Sequence, residues 1–277
     1  DLLTRFVFWE IMALGSTLLF LSRGTQGAYR AGLRYLVVHL LGGVVLMIGI
    51  IAHVVETGSL AFTAMQPDSL GKWLMLAGFL VNAGAPPLSA WIADAYPEAT
   101  PTGTVFLSAM TTKVAVYALA RGFPGTELLI WIGAAMTCFP IFYAVIENDL
   151  RRVLTYSLNN QLGFMVVGIG IGTELALNGA AAYAFANIIF EGLLFMAMGA
   201  VLLRTGTCLG SELGGLYKTM PCTAALFIVG AASISALSTC SPFRSVVSPL
   251  SRISHFCSIW RTITSMCLSL IFTPWSR

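Results

Sequence analysis

Charge is what this sequence has least of. Asp, Glu, Lys and Arg make up 10% of its 277 residues, while 57% are hydrophobic and the mean hydropathy is +0.84. An ordinary soluble domain is about 25% charged, so a water-soluble globular class is excluded. The net charge of +3 gives none of the basic excess that nucleic acid requires, and nucleic acid is not an expected partner. Cysteine is sparse: Cys138, Cys208, Cys222, Cys240, Cys257 and Cys267 show no CxxC or metal-type spacing and read as small core residues. No GxGxxG, phosphate-binding loop or iron–sulfur spacing occurs, so neither a cofactor nor a metal site is expected. A cleavable leader is missing too, because Asp1 to Leu21 has neither a basic start nor a small-residue cleavage site. Nor does the chain open on Met, which reads as a sequence beginning inside a longer protein.

Long apolar stretches take the place of all this. At roughly 20 residues per crossing, the length holds about eight or nine spans with short loops. The expected fold class is all-α: a polytopic membrane helix bundle. Its spans run from Leu2 to Leu21, Tyr35 to Val55, Leu70 to Ala93, Thr104 to Ala120, Glu127 to Ile146, Val153 to Ile171, Leu175 to Leu203, and Pro221 to Leu237. Beyond Leu237 the character changes. Asp and Glu disappear, serine makes up about a quarter of residues, and Pro242 and Pro249 interrupt the apolar runs.

The third span is expected to be discontinuous. Pro86 and Pro87 follow Asn82 to Ala85, remove two backbone donors and crowd the preceding turn. In lipid the freed carbonyls need other partners, so such a break belongs inside protein or beside water. Charges inside spans are costly there and mark ion pathways by default. Glu10 lies halfway along the first span and Lys113 near the middle of the fourth. The plainer readings are a membrane-edge position for Glu10 and snorkelling for Lys113. His39 falls one turn inside the second span, either as a proton carrier or as a merely hydrogen-bonded ring, and His53 sits at its interfacial end. Tyr183, Asn187 and Glu191 recur every fourth residue and so stack on one helical face. Thr155, Tyr156, Ser157, Asn159, Asn160 and Gln161 make the sixth span polar enough to need protein or water partners. Asp94 and Glu98 read as solvated turn residues, and the 147–152 loop as an interfacial anchor.

Basic residues set the orientation. Arg23, Arg30, Arg34, Arg151, Arg152, Arg204 and Lys218 fall in odd-numbered loops, and only Lys72 and Arg121 in even-numbered ones. By the positive-inside rule the odd loops are cytoplasmic and Asp1 faces outward, in a multi-pass protein of the cell membrane.

Three runs in register carry a resemblance. FVFWEIMALGS from Phe6, NAGAPPLSAWIADAYPEATPTGTVFLSAMTTKVAVYALAR from Asn82, and DLRRVLTYSLNNQLGFMVVG from Asp149 resemble the antiporter-like membrane subunits. These are shared by respiratory complex I and the multisubunit Mrp-type cation/proton antiporters, and the wording is most similar to the D-type member of the antiporters. The likeness runs from Phe6 to Ser235. It implies a helix bundle of two inverted repeats, of which this chain would hold the first and most of the second, truncated. It also implies that Glu10 is the first repeat's glutamate, that Lys113 links the two half-channels, and that the broken span carries a lysine facing the glutamate. Asn82 stands where that lysine is expected, and Tyr183, Asn187 and Glu191 stand where the family commonly has His, His and Lys. An amide exchanges no proton near neutral pH, so with Asn82 the usual Glu–Lys pair is absent or rerouted; Asn82, Tyr183 and Asn187 read as a polar relay beside the proton-pathway residues Glu10, His39, Lys113 and Glu191. Past Ala236 the likeness stops. Residues 1–237 thus read as a partial family membrane domain, and 238–277 as an atypical tail from a frameshift or a spliced end.

The leading expectation is a subunit of a monovalent cation (Na+ or K+)/proton antiporter, partnered by other membrane subunits, lipid, protons and cations. The alternative is a proton-translocating subunit of an NADH–quinone or hydrogenase-type oxidoreductase, itself without redox centres. A third reading, a structural remnant, follows from Asn82, the altered seventh span and the tail.

Overall fold

The computed structural model describes residues 1–234. The atypical tail, the end of the eighth expected span and Cys240, Cys257 and Cys267 lie outside the described residues. The elements are α1 (Leu2–Leu21), α2 (Gln26–Thr57), α3 (Leu70–Ala83), α4 (Ala90–Ala95), α5 (Pro101–Gly122), α6 (Glu127–Ile146), α7 (Leu150–Ile171), α8 (Glu174–Thr205), α9 (Leu216–Thr219) and α10 (Pro221–Ile234). A π-helical turn, Leu107–Thr111, interrupts α5. No strand occurs among the described residues, beyond one isolated bridge between Asp149 and Leu209.

Local chemistry explains where the helices start and stop. Thr25 Oγ1 accepts from Ala28 N at 3.2 Å, and Thr173 Oγ1 from Ala176 N at 3.3 Å, satisfying donors that open α2 and α8. Thr100 Oγ1 does the same for Gly103 N at 3.1 Å, with Pro101 as the first helical residue of α5.

Helices α1, α2, α5, α6 and α8 are long and apolar enough to cross a membrane, which makes the protein multi-pass. The sequence led to an expectation of about eight such elements. Helix α3 has 14 residues, and α10 has 14 up to Ile234, where the described residues end. Helix α7 has 22 residues, about 33 Å at 1.5 Å per residue, but its first half is polar. It is buried on nearly every side and forms the centre of the bundle.

Helix α7 reaches its neighbour α6 through glycine. A Cβ added at Gly133 would meet Val167 N at 2.7 Å, and one at Gly163 would meet Gly133 O at 2.7 Å. Only glycine lets the two backbones approach this closely, the device by which membrane helices gain packing without a hydrophobic drive. Two apolar clusters result. Trp9, Phe20, Phe79, Trp91 and Phe123 belong to the first, with Leu158 and Met165 of α7. Phe190, Leu194, Met198 and Phe227 form the second, with Leu150 and Leu154 at the start of α7. Outward-facing Phe8, Val55, Trp131 and Phe142 are exposed, as expected of a surface that meets lipid.

Candidate proton-pathway site

Helix α3 stops at Ala83, before the two prolines. Gly84 takes the left-handed region at φ 77° and its N–H closes back on the last turn of α3. Ala85 N donates to Leu80 O at 3.0 Å, and the indole of Trp91, on α4, donates to Val81 O at 3.1 Å. Carbonyls released by the helix end are thus taken up by the segment that follows, as a break away from water requires. Asn82 lies in this last turn, 1% exposed, and neither its Nδ2 nor its Oδ1 has a hydrogen-bond partner among the described residues.

Helix α2 faces this end with Gly42 and Gly43. A Cβ at Gly43 would fall on Glu10 Oε1, and one at Gly42 would lie 3.4 Å from Asn82 Nδ2. The paired glycines therefore form a notch with the α1 carboxylate on one side and the α3 amide on the other. Glu10 is half-buried, and its Oε1 is buried without a hydrogen-bond partner among the described residues. One turn away, His39 is fully buried. Its Nδ1 lies 3.0 Å from Tyr35 O and its Nε2 is unpartnered. The His39 ring stacks on Tyr35 with centroids 3.9 Å apart and meets Trp91 edge-on at 4.6 Å. His39 therefore stands between α2 and the break. His53, near the end of α2, is buried at 7% exposure because Gly71 of α3 packs against its backbone.

A second polar group gathers on α5, α7 and α8. Lys113 is 7% exposed and does not snorkel; its Nζ donates to the carbonyl of Ser108 at 2.8 Å, within the π turn. Its electrostatic partner is Glu191, fully buried on α8. No nitrogen–oxygen approach within 4.0 Å joins them, so they interact through space rather than as a contact ion pair. Ser157 Oγ of α7 donates to Glu191 Oε1 at 3.3 Å, while Oε2 is unpartnered. Asn187, one turn before Glu191, is fully buried, and neither amide atom has a hydrogen-bond partner among the described residues. Tyr183 is half-buried, packs against both apolar clusters and meets Phe190 edge-on at 6.4 Å.

The polar half of α7 does turn inward. Thr155, Ser157, Asn159, Asn160 and Gln161 are buried, and Tyr156 is half-buried. Asn160 Nδ2 donates to Thr137 O at 2.7 Å. Oxygens of Asn159, Asn160 and Gln161 remain unpartnered among the described residues. Asn159 Oδ1 also lies 3.5 Å from where a Cβ of Gly84 would be, so α7 connects the broken end of α3 with the Glu191 group.

Several participants gave no readable signal. The Ser108 carbonyl is offered by a π turn with no sequence mark, and Ser157 is one serine in a polar run. Arg151, read as part of an interfacial anchor, is instead 2% exposed. It donates to Pro97 O at 2.6 Å, to Ala99 O at 3.2 Å and to Thr104 Oγ1. Two carbonyls of the α4–α5 turn and a hydroxyl in the first turn of α5 draw the guanidinium in, and Arg23 Nη1 reaches the same Pro97 carbonyl at 2.8 Å. Asp94 is exposed as expected, but lies in α4 rather than in a turn, with Arg34 3.5 Å away. Glu98 is only half-buried and pairs with Arg23 at 3.3 Å, rather than being free in solvent.

Comparison with known proteins gives these groups a context. A family described as NADH:quinone oxidoreductase/Mrp antiporter, transmembrane, matches residues 1–272. The D-type subunit of the Na(+)/H(+) antiporter of Alkalihalophilus pseudofirmus is 32% identical over 262 residues, covering 88% of this chain and 53% of the relative. The N-type subunit of the NADH-quinone oxidoreductase of Desulforudis audaxviator is 31% identical over 258 residues, covering 86% of this chain and 51% of the relative. Among solved structures, a chain of the Mrp complex from Dietzia sp. superposes with a TM-score of 0.88 at 24% identity, over 100% of this chain and 58% of that one. The fold is thus that of the Dietzia chain. The present chain spans about half the length of the curated relatives it matches.

Proposed function

The chain belongs to the NADH:quinone oxidoreductase/Mrp antiporter transmembrane family, and from that premise we propose that it is a proton-conducting membrane part of a multisubunit monovalent cation (Na+ or K+)/proton antiporter. The observation that carries this reading is the buried Lys113–Glu191 arrangement: opposite charges within each other's field, not in contact, each held by a different neutral group. Burial and a nearby opposite charge act in opposite senses on proton affinity. A change in the Lys113–Glu191 separation, with Lys113 leaving the Ser108 carbonyl for the carboxylate, alters that affinity and lets a proton be taken up or released.

The remaining residues supply a path. Buried polar atoms in native proteins are paired with protein groups or water. Waters bridging Glu10, Asn82, His39, Asn159 and Asn187 would join the α2 notch to the Glu191 group. Asn82, Tyr183 and Asn187 act as a polar relay without exchanging protons themselves, and Pro86 and Pro87 maintain the break. In this reading Leu70 to Ala93 crosses as one discontinuous span, and α7 and the segment from Pro221 cross too, making about eight spans within an inverted-repeat fold. Residues 1–237 form the membrane domain and 238–277 an atypical tail, although the family match itself continues to residue 272. The odd-numbered loops face the cytoplasm from the cell membrane, and other membrane subunits complete the assembly.

The second reading, a proton-translocating subunit of an NADH–quinone-type complex, is favoured by the Desulforudis relative, which is 31% identical against 32% for the antiporter relative. Proton flux in everted vesicles separates the two, with the chain expressed in its full-length form beside its neighbouring genes. Collapse of a preformed gradient by added Na+ or K+ is the expected result and identifies the ion. A gradient built only by NADH establishes the oxidoreductase reading, and no response to either rejects both.

A further inference from the structure

Tyr96 follows α4 directly and opens the short turn that leads into α5. It is fully buried and held at both ends. Its carbonyl accepts from Thr104 Oγ1 at 3.0 Å, and its hydroxyl donates to the carbonyl of Leu107 at 3.2 Å. Leu107 is the first residue of the π turn, and Ser108, whose carbonyl takes Lys113 Nζ, is the second. We propose that Tyr96 is a positioning residue for Lys113: its hydroxyl holds the π turn open, and the open turn offers the Ser108 carbonyl to the ammonium. This rests on the reading of Lys113 and Glu191 as the proton pathway, and adds the part that sets the lysine's resting place.

The backbone of the turn gives the reason. An α-helix pairs each interior carbonyl with the N–H four residues on, and a π turn reaches five. The widening shifts the ladder by one residue, so a carbonyl is left over and needs a donor from elsewhere. Lys113 Nζ is such a donor, 2.8 Å from Ser108 O. Closing the ladder would return a backbone donor to that carbonyl and free Lys113 to approach Glu191. Tyr96 opposes the closure from outside the helix, through Leu107 at the start of the turn. The hydroxyls of Thr111 and Thr112, at its end, also lie beside the Tyr96 hydroxyl.

Tyr96 is itself well anchored. Arg151 of α7 donates to the Pro97 and Ala99 carbonyls and to Thr104 Oγ1, which fixes the chain on either side of the hold. The Tyr96 ring meets Trp91 edge-on at 6.0 Å, and the Trp91 indole donates to Val81 O at the broken end of α3. Tyr96 thus ties the break to the π turn. Of the charged groups packed about that turn, Glu191 on α8 is the one in the field of Lys113. Tyr35 of α2 approaches Thr111, and His39 stacks on Tyr35.

The test measures proton flux against pH in everted vesicles carrying the full-length protein with its partner subunits. Tyr96→Phe keeps the ring and removes only the hydroxyl. Its flux profile should move toward alkaline pH by about one unit, because an ammonium freed toward a carboxylate holds its proton more tightly. A profile that stays in place or moves toward acid overturns the proposal. So does flux lowered equally at every pH, which would make Tyr96 a packing residue. Lys113→Ala is measured alongside. Flux that survives Lys113→Ala removes the lysine from the pathway, and the proposal with it. Flux lost in Lys113→Ala beside an unmoved Tyr96→Phe profile overturns the positioning role alone.

Discussion

Lys113 and Glu191 make opposite demands on the protein around them. A buried pair gains little stability over an apolar replacement, but removing one partner strands the other and costs about 3–5 kcal/mol. Glu191→Leu should therefore destabilise the protein by roughly that amount, seen as earlier unfolding in a detergent or denaturant titration. Lys113→Met/Glu191→Leu together should restore most of the loss, because no lone charge remains. A double variant as unstable as the single would show that the two residues are not coupled. Transport separates from stability here. Lys113→Ala should insert normally yet abolish cation-dependent proton flux, and normal flux in that variant would remove the lysine from the pathway. Glu10, His39, Lys113 and Glu191 could be picked out in the sequence because a titratable group inside an apolar run is costly wherever it ends up. Which of them face one another could not, since α5 and α8 are far apart in sequence and only packing decides their contact. Arg151 misled for the same reason: an arginine beside Arg152 in a loop looks solvated until two carbonyls of the α4–α5 turn and a hydroxyl of α5 arrive around it.

Among the elements, the connections at one end of α7 are tied more firmly than short loops need to be. Asn148 Nδ2 donates to Ser211 Oγ at 3.0 Å, Ser211 N donates to Asn148 Oδ1 at 3.1 Å, and Leu150 N donates to Cys208 O at 3.0 Å. This hook buries the Cys208 side chain outside the membrane-crossing helices, and burial pushes its thiol up to about 11. Thiolate is the reactive form, so Cys208 should label very slowly with a water-soluble maleimide at pH 7–8 and faster only as the pH approaches 11. Asn148→Ala removes two hydrogen bonds of about 1 kcal/mol each, which should raise the labelling rate about thirtyfold by easing local opening. An unchanged rate would mean that the hook is not what shields the thiol. Helix ends were legible where chemistry changes sharply: α1 and α6 have the bounds that hydropathy gives. Helix α2 starts at Gln26 rather than Tyr35, because a helix capped by Thr25 continues past the apolar core into a stretch holding Arg30 and Arg34. Pro86 and Pro87 marked the break after α3, although the helix stops at Ala83, ahead of them, whereas the π turn of α5 left no comparable mark.

For the molecule as a whole, the helix ends bearing Arg23, Arg34, Arg152 and Lys218 alternate with those bearing Lys72 and Arg121, as an up-and-down bundle requires. Single cysteines at Ser22 and Thr205, both exposed, should label from the cytoplasmic side, and those at Ser59 and Glu127, also exposed, from the opposite side. The reverse pattern would invert the orientation. The two apolar clusters meet along the polar residues 155–161 of α7, with Ser157 and Glu191 at their junction. Close-packed apolar interiors resist deformation, whereas water-bridged contacts trade partners at little cost. On the proposed reading, in which water bridges these polar groups, slip between the two clusters along them would change the distance between Lys113 and Glu191 before it disturbed either cluster. Spin labels placed one in each cluster should show a broader distance distribution than two within the same cluster.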